Sequence, residues 1–191
     1  MTKAMQISDP EEQQLIEQAQ MGDRQAFADL VNRHRKGVIN VAYRICGDAG
    51  QAEDIAQETF LRAWQHIPKY RPQALFRSWL YRIAANMTID HLRSKKETVN
   101  IEMLALQSRD AGPELRLVEK ERAAAVQQAV LGLPIASRQV LVLREYEQLS
   151  YQEIADTLEI PIGTVMSRLN YARKSIKLSL ERMVEEKCLS I

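Results

Sequence analysis

Leu149-Ser150-Tyr151-Gln152-Glu153-Ile154-Ala155-Asp156-Thr157-Leu158-Glu159, followed by Ile160-Pro161-Ile162-Gly163 and then Thr164-Val165-Met166-Ser167-Arg168-Leu169-Asn170-Tyr171-Ala172-Arg173, is the stretch whose reading decides the fold. Ser150 and Glu153 stand at capping-box spacing, where each side chain satisfies a backbone donor that the first helical turn leaves open. The pattern predicts a short helix ending near Glu159, a tight turn at Pro161-Ile162-Gly163, and a long last helix from Thr164 to about Glu185. Ile154, Ala155 and Leu158 can pack on Val165 and Leu169 and so fix the angle between the two helices. This is a helix-turn-helix unit. Its second helix can enter a major groove with its first turns toward base edges and phosphates. Thr164, Ser167, Arg168, Asn170 and Tyr171 lie in those turns, and Arg173, Lys174 and Lys177 follow, so these eight are the candidate duplex contacts. A solvated basic helix would carry the same charges. The turn and the charge together favour DNA.

Working outward, the 191 residues hold only 7 Gly and 6 Pro, and most of the rest are good helix formers. An all-α chain is expected, with two small helical domains joined by a flexible linker. The second domain, 118–185, contains the helix-turn-helix; ahead of that unit come a helix from about Glu114 to Leu131 and another from Ser137 to about Glu147. Periodicity fades over 97–117, which includes Ser108-Arg109-Asp110-Ala111-Gly112-Pro113, and this is the expected linker. Upstream lies a first domain, 10–96, of four helices. Asp9-Pro10 opens the first and Gly22-Asp23 closes it. Phe27, Leu30, Val31, Val38, Val41, Ala42 and Ile45 form a stripe on the second. Ala52, Ile55, Ala56, Phe60, Ala63 and Ile67 mark the third. The fourth, from about Gln73 to Arg93, turns Phe76, Leu80, Ile83, Ala84 and Met87 inward.

The net charge of +1 announces no polyanion, but its distribution does. From Arg62 to Lys96 there are eight cations against Asp90 alone. From Gly163 to Arg182 there are five against Glu181. In the first of these segments Pro68 to Pro72 reads as an exposed basic loop carrying Lys69, Tyr70 and Arg71, followed by Phe76, Arg77 and Trp79. Cations interleaved with aromatics suit a splayed single strand. Phe76 and Trp79 also fit a core, and for Trp79 the core is the better reading.

Both halves of the chain resemble bacterial extracytoplasmic-function sigma factors. In the second half the resemblance rests on Leu133-Pro134, Arg138, Leu143-Arg144, Leu149 to Ala155, Pro161 to Leu169 and Ala172-Arg173. In the first half it rests on Gly22-Asp23 with Ala26-Phe27, on Asp54-Ile55-Ala56-Gln57-Glu58-Thr59-Phe60, and on Phe76 to Ala84 with Asn86, Asp90 and Leu92-Arg93. The resemblance implies a subunit that binds core RNA polymerase, directs it to promoter DNA and helps melt the −10 region. Asp54, Gln57, Glu58 and Phe60 would then bind polymerase. Lys69, Tyr70, Arg71, Phe76, Arg77 and Asn86 would meet the melted −10 strand, and the last helix would meet the −35 duplex. An anti-sigma factor is an implied partner. Helix-dipole chemistry alone explains Glu53 and Asp54 near a helix start. It does not explain Gln57-Glu58 one turn later. Met166 and Tyr171 depart from the family, which usually carries Lys or Arg there; losing both cations removes about two units of salt slope from duplex binding.

Other functions find less support. Cys46, Cys188, His34, His66 and His91 show no zinc-ligand spacing, so no metal and no cofactor are expected. No nucleophile with a base and no phosphate loop is present, so the chain is not read as an enzyme. No run approaches the roughly 18 uncharged apolar residues of a membrane span, and the start lacks an apolar signal core. A cytoplasmic protein without membrane insertion is expected. A stand-alone helix-turn-helix regulator would need a dimer seam or a sensor domain. A purely protein-binding helical adaptor would leave both basic segments merely solvated.

Overall fold

Asp9 opens the first helix: its carboxylate accepts the Glu11 amide at 3.3 Å, and Pro10 takes the first position, where no donor is required. The computed structural model describes residues 9–71, 75–98 and 114–189. Helix α1 is Pro10–Gln20. Asp23 caps α2 (Arg24–Cys46) and Asp48 caps α3 (Ala49–His66), each through its carboxylate. A 3-10 turn, Ile67–Lys69, leads toward α4, Phe76–Thr98. Then come α5 (Glu114–Leu131), α6 (Ile135–Leu141), a π-helical turn (Val142–Tyr146), α7 (Tyr151–Leu158) and α8 (Ile162–Leu189). The architecture is all-helical, with α1–α4 and α5–α8 as its two domains. Helices α4 and α5 run into both ends of the expected linker; residues 99–113 lie outside the described residues, as does the expected start of α4 at Gln73.

Packing follows the periodic stripes. Leu30, Val38 and Ile45 of α2 and Leu80 of α4 are fully buried where α2, α3 and α4 meet, and Ile16 of α1 closes that core. In the second domain Val165, Leu169 and Ala172 of α8 are buried with Val140 and Leu143 near α6 and with Ile154 of α7. Each such aliphatic side chain stabilises by roughly 1.5–3 kcal/mol, against about 1 kcal/mol for a cap. Packing therefore sets the helix arrangement and capping sets where helices begin.

The turn before α8 differs from expectation. Helix α8 begins at Ile162, so Gly163 lies inside its first turn. The left-handed residue is Glu159, with φ 52°. The reason is local: Pro161 O accepts the Thr164 and Val165 amides at 2.8 and 3.2 Å and starts the helix early. The chain must then reverse at the end of α7. Likewise α6 begins at Ile135 rather than Ser137, because Pro134 O already accepts the Ser137 and Arg138 amides.

The two domains share a seam, and one continuous apolar cluster spans both. Arg138 of α6 donates to Ile45 O at 2.5 Å, at the end of α2, while also donating to Leu131 O and Leu133 O in its own domain. Beside it, Leu131 packs on Gly47, where an added Cβ would come within 2.7 Å of a Leu131 methyl; Gly47 is also left-handed, with φ +81°. Only glycine meets both demands. Arg44 donates to Gln127 at 2.8 Å and lies over the Tyr146 ring. Tyr81 of α4 crosses Gly37, whose added Cβ would lie 2.4 Å from the hydroxyl, and hydrogen-bonds Glu147. Finally, Arg82 pairs with Glu159.

Burial raises the Glu147 carboxyl above its ordinary range, a shift that the Tyr81 hydroxyl and the Arg77 charge partly offset. The fold thus favours the neutral form more than the unfolded chain does. Its stabilising contribution is complete below the ordinary value of 4.5 and is lost as pH rises through the raised folded value. Glu147→Gln should therefore raise the melting temperature at about pH 7, and the gap from wild type should close below about pH 4. Thermal melts across that range test the sign; a variant less stable than wild type at neutral pH would contradict it.

Candidate nucleic-acid interface

Because Val165, Leu169 and Ala172 face inward, α8 turns two polar stripes outward. Thr164, Ser167, Arg168 and Tyr171 stand at i, i+3, i+4 and i+7 on one; Met166, Asn170, Arg173 and Lys177 form the second at i, i+4, i+7 and i+11. Thr164 and Arg168 are half-buried and the rest exposed, as is Lys174. Helix α8 packs on α5, α6 and α7. Ser167 Oγ donates to Thr164 O at 3.1 Å. Arg173 is held by Glu145, through Nε at 3.2 Å and Nη2 at 2.7 Å. This hydrogen bond is the main reason its pKa is raised. Arg168 makes no hydrogen bond or ion pair among the described residues. Of the two arginines it is the more available.

The basic loop is built differently from its expected form. Lys69 and Arg71 are exposed, but Tyr70 is only 6% exposed and Phe76 only 1%. Tyr70, Phe76 and Trp79 form a three-ring cluster with centroids 5.0–5.4 Å apart, and His34 meets Phe76 at 5.5 Å. Ring stacking of this kind adds about 0.5–1.5 kcal/mol per pair beyond burial, which an exposed tyrosine would forgo. The exposed setting expected for Tyr70, and a ring of Phe76 open to a base, are therefore not found. Burial also pushes the Tyr70 hydroxyl up to about 12. Trp79 is half-buried, packed on the core as expected yet lining a cleft. Gln20 of α1 fixes the loop from behind by donating to Ile67 O at 3.1 Å and Tyr70 O at 2.9 Å. No local pattern marked Gln20, because its partners lie some fifty residues away. Arg77 is half-buried and Asn86 exposed on α4.

On α3, Asp54, Gln57 and Glu58 are exposed along one side, with Glu58 paired to Arg62 at 2.8 Å. Phe60 is 8% exposed, so it is a wall rather than a projecting contact. It lines a groove of about 480 Å³ with Phe27, Val31, Leu61 and Trp64, and Gln57 stands on the rim. Period 3.6 places Phe60 on the buried stripe with Ala56 and Ala63, which accounts for the difference from the expected contact. Among the described residues no cluster of His, Cys, Asp and Glu could hold a metal, and no helix is long and apolar enough to cross a membrane.

Residues 30–98, spanning most of α2 through α4, match sigma-70 region 2, and residues 123–176, spanning most of α5 to the middle of α8, match sigma-70 region 4. The chain is 38% identical over 176 residues to the ECF RNA polymerase sigma factor SigW of Bacillus subtilis, covering 86% of this chain and 94% of that protein. The chain belongs to the ECF family of RNA polymerase sigma factors. It initiates transcription by recognising promoters with RNA polymerase, and the catalysis is the polymerase's. The sigma-H factor of Pseudomonas aeruginosa is 35% identical over 94% of this chain and 99% of its own length. Among solved structures, CnrH in complex with the cytosolic domain of CnrY aligns with a TM-score of 0.69 at 26% identity, over 90% of this sigma factor and 98% of that chain. The sigma factor RpoE of Bartonella quintana, solved with the anti-sigma factor NepR, has the same fold: its TM-score is 0.66 at 21% identity, over 81% and 96% of the two chains.

Proposed function

We propose that this sigma factor divides promoter recognition among three surfaces in the cytoplasm, with residues 10–96 and 118–185 as its working domains. Asp54, Gln57 and Glu58 on α3 face core polymerase, beside the groove that Phe60 lines. Lys69, Arg71, Arg77 and Asn86 meet the melted −10 strand, with Tyr70 and Phe76 supporting that loop from beneath. Thr164, Ser167, Arg168, Asn170, Tyr171, Arg173, Lys174 and Lys177 meet the −35 duplex. The observation that carries the reading is the outward double stripe of α8 over its buried Val165-Leu169-Ala172 face. Tyr171 and Met166, 53% and 49% exposed, stand where cations are usual; a phenol can reach a phosphate and a thioether a thymine methyl. An anti-sigma factor as inhibitor is supported by RpoE of Bartonella quintana, solved in complex with the anti-sigma factor NepR.

Run-off transcription with core polymerase on a promoter library tests the assignment. Arg168→Ala should lower duplex promoter affinity by about 1–3 kcal/mol if the contact is a bidentate base contact, and lower the salt slope by about one unit if it is a phosphate contact. The Gln57→Ala, Glu58→Ala double variant should instead lose core binding with stability within about 0.5 kcal/mol of wild type. Wild-type promoter affinity of Arg168→Ala at every salt would remove α8 as the reading helix.

A further inference from the structure

The cleft between the two domains is lined on one wall by Tyr70, Arg71, Trp79 and Arg82, and on the other by Asp156 and Glu159 at the end of α7. It encloses about 550 Å³. The first wall includes Arg71, assigned above to the melted strand, with Tyr70 beneath it and the Arg82 cation beside it. The second brings three negative features to it: the Asp156 carboxylate, the Glu159 carboxylate paired with Arg82, and the negative end of the α7 dipole. Glu159 adopts the left-handed conformation there, a conformation that residues other than Gly and Asn rarely take. Gly or Asn would close the same turn more readily, so the turn itself gives no reason for glutamate. The seam holds the two walls together: Arg138 on Ile45 O, Leu131 on Gly47, and Gln139 Nε2 on Ala85 O at 3.4 Å.

We infer that the end of α7 is a built-in competitor for the promoter strand: in the closed chain, Asp156 and Glu159 occupy the basic face of Arg71 and Arg82 where strand phosphates would lie. This rests on the assignment of the Lys69-to-Arg71 loop to the −10 strand. A strand enters only when α7 leaves, so apparent affinity is reduced by the fraction of chains that are open. The closing ion pair is exposed, with Arg82 38% and Glu159 69% accessible, and it is a weak latch that a stronger partner can displace.

Binding of a fluorescein-labelled single-stranded DNA of mixed sequence to the full chain, followed by anisotropy at low salt, tests this. Glu159→Asn keeps the left-handed turn and should tighten binding about fivefold. Asp29→Asn, an equal change of charge outside the cleft, should leave affinity unchanged. In a chain with Cys46→Ala and Cys188→Ala, the Arg82→Cys, Glu159→Cys variant bridged by a short bis-maleimide should bind about tenfold more weakly than the same variant unbridged. Arg71→Ala should weaken binding in the Glu159→Asn background. If Glu159→Asn binds no better than Asp29→Asn while Arg71→Ala loses affinity, the competitor is overturned and the strand assignment stands. Unchanged binding on bridging overturns it equally. If Arg71→Ala has no effect, the strand assignment falls and the competitor with it.

Discussion

Arg138→Met is expected to lower the unfolding free energy by about 2–4 kcal/mol, although the change is nearly volume-conserving. Arg138 is 8% exposed, and burial depresses its pKa. The guanidinium is kept there by the carbonyls of Ile45, Leu131 and Leu133, the last bonded at 3.0 Å. Each hydrogen bond to a charged donor contributes about 1.5–3 kcal/mol, and each buried carbonyl left without a donor costs about 1–3 kcal/mol. Relief of the buried charge offsets part of this, which is why the net figure is below the sum. Methionine can replace the stem but none of the donors. Urea unfolding measures the effect, and the broken tie to Ile45 should also let the two domains melt in separate steps. An unfolding free energy within about 0.5 kcal/mol of wild type would show that solvent satisfies those carbonyls.

The other large effect is at Phe76. Phe76→Ala should cost about 3–5 kcal/mol, because the ring sits at the centre of the Tyr70–Trp79–His34 cluster and nothing nearby can fill the void. Phe76→Leu should cost clearly less. A ring that stacked on a flipped base would behave in the opposite way: truncation would remove about 1–3 kcal/mol of strand affinity and leave stability alone. Chemical unfolding and single-strand binding, measured on the same variant, separate the two roles. Loss of strand binding without loss of stability would return Phe76 to the DNA surface.

What was legible in the sequence follows from how far each signal reaches. Helix starts at Pro10 and Tyr151 are set by Asp9 and Ser150, each acting within three residues, and local pattern carries them; Asp23 and Asp48 cap α2 and α3 in the same way. The stripes of α2, α3 and α8 are periodic, so their buried faces were readable too. The roles of Tyr70, Phe60 and Phe76 were not. An aromatic beside a cation looks the same whether the chain turns it toward solvent or toward a core, and only tertiary contacts decide. The turn before α8 misled for a related reason: Pro and Gly both suggest a reversal, yet Pro161 can equally begin a helix, and the reversal fell on Glu159. The seam was invisible because Arg138, Gly47 and Tyr81 find their partners across the chain. They are unremarkable taken singly.

The shared seam bears on how the protein is made. Synthesis delivers the chain from its N-terminus at about 5–20 residues per second. The first domain can therefore fold roughly 5–19 seconds before the last residues of the second are added. During that interval the carbonyl of Ile45, the surface at Gly47 and the side of α4 carrying Tyr81 lack the groups that later cover them. The nascent first domain thus presents its seam-facing surface uncovered until α5–α8 arrive.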